Sequence, residues 1–239
     1  MIDLRGWART SLIDFPEHIA TVVFTGGCDF RCPMCHNAEL VLRPASLSSI
    51  DPAEVLAFLD RRAGKVTGLV LTGGEPLLQR NVAAFLSAVK ARGVHVKLDT
   101  NGYHPDVLSS LISACLVDYV AMDVKAPAEG YARLTGRETL DMARIHASIT
   151  LLARGQVAYE FRTTVVPGLL DGDDIEAIAR WLAGVGDPTA TVYRLQQFRG
   201  TRTLSPELEA AVPHAVADLH AIADRARRWL PNTSLRGGV

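Results

Sequence analysis

With 239 residues, 48% of them hydrophobic, the chain can build one barrel-sized α/β domain and needs no metal as a folding staple. A formal net charge of −1 argues against nucleic acid as a partner. No run of about eighteen apolar residues offers a membrane span, and Met1-Ile2-Asp3-Leu4-Arg5-Gly6-Trp7 has no apolar signal core, so the expected compartment is the reducing cytoplasm.

The first predicted strand, Ile19–Thr25, runs into Gly26-Gly27-Cys28-Asp29-Phe30-Arg31-Cys32-Pro33-Met34-Cys35-His36-Asn37. This stretch holds three of the four cysteines at C-x3-C-x2-C spacing. Three thiolates can hold one metal centre and leave it a ligand short. A structural zinc ion would need a fourth ligand, either His36, cramped beside Cys35, or the distant Cys115. The apolar setting of Cys115, Leu111-Ile112-Ser113-Ala114-Cys115-Leu116-Val117, is that of an inert core residue. An iron–sulfur cube takes four thiolates when closed, so three would leave one iron open to an outside chelate. The spacing favours the cube but leaves zinc open; structural disulfides rank below both.

Further along, strands and helices alternate. A helix over Pro52–Arg62, with Asp51 ahead of it, leads to a strand over Val66–Thr72 that ends in Thr72-Gly73-Gly74-Glu75-Pro76. The helix Asn81–Arg92 precedes the strand Val94–Asp99, which ends in Asp99-Thr100-Asn101-Gly102. After the helix Pro105–Ala114 comes the strand Val117–Lys125, ending in Asp123-Val124-Lys125. The helix Ala143–Ala153, the strand Val157–Val166 with Pro167-Gly168, and the helix begun at Asp173 follow. A strand over Thr191–Gln197 and a last helix from about Pro206 to Trp229 complete the set, with Arg225, Arg227 and Arg228 as a solvated helix end. Six β-then-α units imply a parallel sheet with right-handed crossovers. Six is fewer than the eight of a closed barrel, so the expectation is a partial (β/α)6 TIM-like barrel. It would form a single domain over 1–239 with its core at about 17–200.

Alternation on the strands puts His95, Lys97 and Asp99 on one face, and likewise Asp123 with Lys125, and Glu160 with Arg162 and Thr164. Branched apolar residues fill a closed barrel, so repeated polar side chains suggest a wetter interior that holds a charged ligand. Each loop motif also has a plain structural reading. Gly73-Gly74 can be a simple strand-to-helix turn, or can bare the backbone to a ligand. Asp99 can cap a turn, and Asn101-Gly102 is a ready turn signal. Asp123 and Lys125 can be an exposed pair, or can receive a ligand bearing both an ammonium and a carboxylate. Arg162 needs a partner if buried: Glu160 on its own strand, or a ligand carboxylate. No nucleophile elbow, Walker loop or dinucleotide fingerprint is present.

The cysteine nest followed by Gly-Gly-Glu-Pro on the second strand resembles the radical S-adenosylmethionine (SAM) superfamily, whose fold is the six-strand partial barrel. Thr10-Ser11-Leu12-Ile13-Asp14-Phe15-Pro16, Val23-Phe24-Thr25-Gly26-Gly27-Cys28, Cys35-His36-Asn37 and Val165-Val166-Pro167-Gly168 are further similar to glycyl-radical-enzyme activases, especially those of anaerobic ribonucleoside-triphosphate reductase. The likeness covers roughly residues 1–200. It implies that Cys28, Cys32 and Cys35 bind three irons of a [4Fe-4S] cluster and that SAM chelates the fourth. Gly73, Gly74 and Glu75 would line its methionine part. Asp99 and Asp123, with Asn101 and the Thr100 region, would lie near the methionine carboxylate, where related activases hold a monovalent cation. Lys125 and Arg162 would be polar partners of SAM, Val166 an adenine contact, and His36 a backbone contact to adenine. Met34 stands where an aromatic residue usually packs on adenine; a thioether can pack there too.

The resemblance also implies a glycyl radical enzyme as protein substrate and a flavodoxin or ferredoxin-type protein as electron donor. The alternatives are an activase of another glycyl radical enzyme, a small-molecule catalyst of the 7-carboxy-7-deazaguanine synthase kind, and a non-catalytic iron–sulfur or zinc module.

Overall fold

The computed structural model describes residues 1–237; residues 238 and 239, the end of the expected domain, lie outside the described residues. The described residues form eight strands in chain order: β1 (Leu4–Ser11), β2 (Ala20–Thr25), β3 (Gly68–Gly73), β4 (His95–Thr100), β5 (Tyr119–Asp123), β6 (Ala158–Val165), β7 (Tyr193–Gln197) and β8 (Thr233–Arg236). The helices between them are α1 (Ala38–Leu42), α2 (Pro52–Arg61), α3 (Val82–Lys90), α4 (Pro105–Ser113), α5 (Tyr131–Thr135), α6 (Met142–Ala153), α7 (Gly172–Ala183) and α8 (Val216–Arg227). The α/β class is as expected, but the strand count is eight rather than six. The chain forms two compact units. One holds residues 1–29, 39–121 and 156–158; the other begins with 30–38, 122–155 and continues from Tyr159.

In the first unit, β2 is an almost unbroken buried run, as a central parallel strand should be. It pairs in parallel with β3 from Ala20↔Gly68 to Thr25↔Gly73, and β3 pairs in parallel with β4. Leu69, Leu71, Val96 and Leu98 are fully buried. β1 escaped the sequence reading because Leu-Arg-Gly-Trp-Ala-Arg-Thr-Ser has no apolar run. It is antiparallel to β2, and Trp7 secures it by donating to Thr21 Oγ1 at 2.8 Å and packing edge-on against Phe58. Asp51 caps α2 as expected, accepting from the Ala53 N–H with Pro52 in the first turn.

Cys115 is exposed rather than buried in a core. It stands just past the end of α4 with φ of +54°. Its N–H reaches the Ile112 carbonyl while that of Leu116 reaches Leu111, the paired bonds of a Schellman ending. Sequence hydrophobicity around Cys115 belongs to its neighbours, and the turn directs its thiol outward.

In the second unit β6, β7 and β8 are parallel. The cap of α7 is Asp171, not Asp173: its carboxylate accepts from the N–H groups of Asp173 and Asp174, while Asp174 reaches back to the Asp171 N–H. That start lets Ile175, Ile178, Ala179 and Leu182 form one buried stripe. The single last helix expected over 206–229 is instead a short 3₁₀ turn (Pro206–Ala210) and α8, and the unforeseen β8 follows. Arg225 and Arg227 are not merely solvated. Arg225 pairs with Asp173 and Glu176 of α7, and Arg227 pairs with Asp224 and donates to the Thr233 carbonyl. Asp171→Ala should therefore cost about 1 kcal/mol of stability, and Asp173→Ala less, because its partner lies at an exposed surface. Urea unfolding of both variants measures the difference; the reverse order would contradict the cap assignment.

Candidate functional site

In the first unit, the loop carrying Cys28 is clamped from behind by the Gly-Gly-Glu segment. The Gly74 N–H donates to the Thr25 carbonyl at 2.9 Å, and the Glu75 N–H to the Gly27 carbonyl at 2.8 Å. A Cβ on Gly74 would fall 1.9 Å from the Gly27 oxygen. One on Gly73, whose φ is +121°, would fall 2.2 Å from the Thr25 nitrogen. These glycines are required by backbone approaching backbone, one residue ahead of Cys28.

Glu75 is fully buried. Its Oε1 accepts from the Leu77 N–H at 3.0 Å and Thr100 Oγ1 at 2.7 Å, and its Oε2 from the Asn101 N–H at 2.7 Å. The carboxylate thus ties the loop after β3 to the loop after β4. Burial pushes its pKa from 4.5 up to about 7, against the pull of those three donors.

The fixed loop after β4 presents Asn101. The Tyr103 N–H donates to Asn101 Oδ1 at 2.9 Å, which turns the amide Nδ2 toward Asp29 Oδ1, 3.0 Å away, and Cys28 Sγ, 3.8 Å away. His104 Nε2 lies 3.0 Å from Asp29 Oδ2. Burial alone would raise Asp29, but the hydrogen bonds from His104 and Asn101 prevail and hold it low. Asp29 and His104 were missed in the sequence: Asp29 stands in the cysteine run only as a spacer between ligands, and His104 belongs to no motif. Asp99 pairs with Lys97, which is almost wholly buried.

In the second unit, the segment holding Cys32, Met34, Cys35 and His36 is fastened at several points. The Arg31 N–H donates to the Thr135 carbonyl at 2.7 Å, and Leu204 and Ser205 donate to the carbonyls of Cys35 and Pro33. His36 Nε2 donates to the Arg199 carbonyl at 2.6 Å, since a carbonyl only accepts. Cys32 and Met34 are buried. Burial pushes the Cys32 thiol up to about 11, opposed by the charge of Lys125. Lys125 Nζ sits 2.8 Å from Asp123 Oδ2, and Arg162 Nε 2.8 Å from Asp123 Oδ1. Despite burial, these two cations hold Asp123 well below the usual carboxylate range, while Asp123 and Cys32 hold Lys125 high.

Arg162 thus meets Asp123, a partner the sequence reading did not name. Glu160 faces Arg194 and Arg236, at 3.6 and 3.5 Å. Asp123 is reached because the Val124 N–H, just past the end of β5, bonds the Arg162 carbonyl inside β6. Val166 is fully buried. Both carboxylates expected beside a cation already have cationic side chains against them.

Glu75 binds its proton more tightly folded than unfolded, so between pH 4.5 and about 7 the native state carries the excess proton. Stability falls as pH rises through that window and levels off above it. The full effect is about 3 kcal/mol at most. Glu75→Gln should flatten this slope in urea midpoints of the metal-free protein; parallel pH profiles for the two proteins would contradict it.

Residues 22–182 match the Radical SAM superfamily. A Methanocaldococcus jannaschii protein that carries the provisional name glycyl-radical enzyme activating enzyme is 32% identical over 239 residues, covering 98% of this chain and 95% of its own. The pyruvate formate-lyase 1-activating enzyme of Escherichia coli K12 is 30% identical over 182 residues, 72% of this chain and 70% of that protein. Among solved structures, Streptococcus suis SuiB bound to precursor peptide SuiA has a TM-score of 0.70 at 13% identity, covering 90% of this chain and 48% of SuiB. At that identity the likeness concerns the fold alone. By the extent of the family match and the full-length relative, this chain belongs to the Radical SAM superfamily.

Proposed function

We propose that the protein is a glycyl-radical-enzyme activase that takes anaerobic ribonucleoside-triphosphate reductase as its protein substrate. The observation that carries this reading is the three-cysteine nest in a chain similar, nearly end to end, to a protein named as an activating enzyme.

Among the described residues no three His, Cys, Asp or Glu side chains are already gathered as a metal-ligand group, so the fit of a cluster is judged from the donors and their surroundings. The donors are soft thiols, none in a disulfide, which suit iron–sulfur ligation. Cys32 feels the positive charge of Lys125, which favours a thiolate. The Asn101 amide is directed at the Cys28 sulfur. Cys115, the remaining cysteine, ends α4 with its thiol exposed. Cys28, Cys32 and Cys35 would hold a [4Fe-4S] cluster and leave one position for S-adenosylmethionine. When bound, these groups supply one-electron cleavage of the sulfonium to methionine and a 5′-deoxyadenosyl radical, which takes a hydrogen from a glycine Cα.

The chain's own residues orient and shield. Glu75 and the glycines before it hold the Cys28 loop in place. Gly73 and Gly74 bring bare backbone to the methionine part. Lys125 and Arg162, balanced by Asp123, meet its carboxylate without leaving a lone charge in the interior. Met34, His36 and Val166 serve adenine, with Met34 and Val166 as apolar walls. A monovalent cation beside Asp99 or Asp123 would share those carboxylates with the side-chain cations already there. The electron comes from a flavodoxin or ferredoxin-type donor. The setting is the cytoplasm, where thiols stay reduced; among the described residues no helix is long and apolar enough to cross a membrane.

The test is to reduce the reconstituted protein with dithionite and SAM, add the reductase, and record electron paramagnetic resonance spectra. A glycyl doublet on the reductase is expected; its absence, with doublets on other glycyl radical enzymes, would overturn the partner. Cys32→Ala should lose 5′-deoxyadenosine formation down to background while Cys115→Ala keeps it. Full activity in Cys32→Ala would refute the nest.

A further inference from the structure

We propose that His104 is a positioning residue that, through Asp29 and Asn101, raises the reduction potential of the metal centre bound by Cys28. The inference rests on the cluster assignment above but not on the identity of the protein substrate.

The path is continuous. A carboxylate only accepts, so His104 Nε2 carries the proton and donates to Asp29 Oδ2 at 3.0 Å. Asp29 Oδ1 accepts from Asn101 Nδ2 at 3.0 Å, and the same amide nitrogen lies 3.8 Å from Cys28 Sγ. The amide cannot flip without losing the bond from the Tyr103 N–H to its Oδ1. Its backbone is fixed in turn by Glu75. Asp29 and His104 are both shielded, with side chains 15% and 18% exposed.

An N–H directed at a ligating thiolate disperses negative charge and so favours the state with one more electron. Without His104, Asp29 keeps its negative charge beside Cys28 with one donor fewer, and the Asn101 amide loses a braced anchor. Both changes disfavour the reduced state. They act in the same direction.

His104 stands at the start of α4 but makes no cap bond with its side chain, so it can be replaced without removing a helix cap. The experiment compares wild type, His104→Ala and His104→Gln, each reconstituted anaerobically and matched for iron and sulfide. Their midpoints are read from the electron paramagnetic resonance signal of the reduced cluster without SAM. His104→Ala should titrate at a more negative potential, and His104→Gln, whose amide can still donate to Asp29, should recover most of the difference. Equal midpoints, or the same shift in both variants, would overturn the inference. Cleavage of SAM by wild type with dithionite is measured in parallel. Cleavage with equal midpoints sinks only this inference; a shifted midpoint without cleavage sinks the activase reading and leaves this one standing.

Discussion

Among the described residues, a buried carboxylate held by neutral donors organises the candidate residues of the first unit. Glu75 has three protein donors, and each sits on a segment that must be held still: its own turn at Leu77, and Thr100 and Asn101 after β4. Removing that group from water is costly, and its three donors offset part of that cost only when both loops are in place. The glycine before it supplies the other half of the constraint, since no side chain fits between Gly74 and the Gly27 carbonyl. Together they fix Cys28 from the backbone side and Asn101 from the side-chain side.

The second unit solves a different electrostatic problem. Two cations, Lys125 and Arg162, both reach the carboxylate of Asp123, and the charge of Lys125 acts on Cys32 and Cys35. Thiolates in an apolar setting need such a field, as the upward push of burial on Cys32 shows. The segment bearing them has little secondary structure of its own. Backbone bonds from Arg31, Leu204 and Ser205 hold it instead.

Much of this was legible from residues alone. The apolar runs of β2 and β3 and the alternation in β4 mark those strands directly. β1 and β8 were not, because an amphipathic edge strand with arginines and a four-residue strand carry almost no hydrophobic signal. Asp123 as a partner of Arg162 was not foreseen for a specific reason: face alternation looks to Glu160 within one strand, whereas Asp123 comes from the neighbouring strand's end. The exposed thiol of Cys115 depends on one left-handed residue, which local hydrophobicity does not report. Asp29 and His104 matter through tertiary hydrogen bonds seventy-odd residues apart in sequence, and no local pattern encodes these.

The proposed function stands on one iron that the protein would leave without a side-chain ligand. Electron–nuclear double resonance on the reduced, reconstituted protein, with SAM isotopically labelled at its amino nitrogen, tests this most directly. The account predicts a resolved coupling between the cluster and the label. A cluster that shows no coupling in the presence of saturating SAM, or a site that takes up only a redox-silent ion, would contradict it.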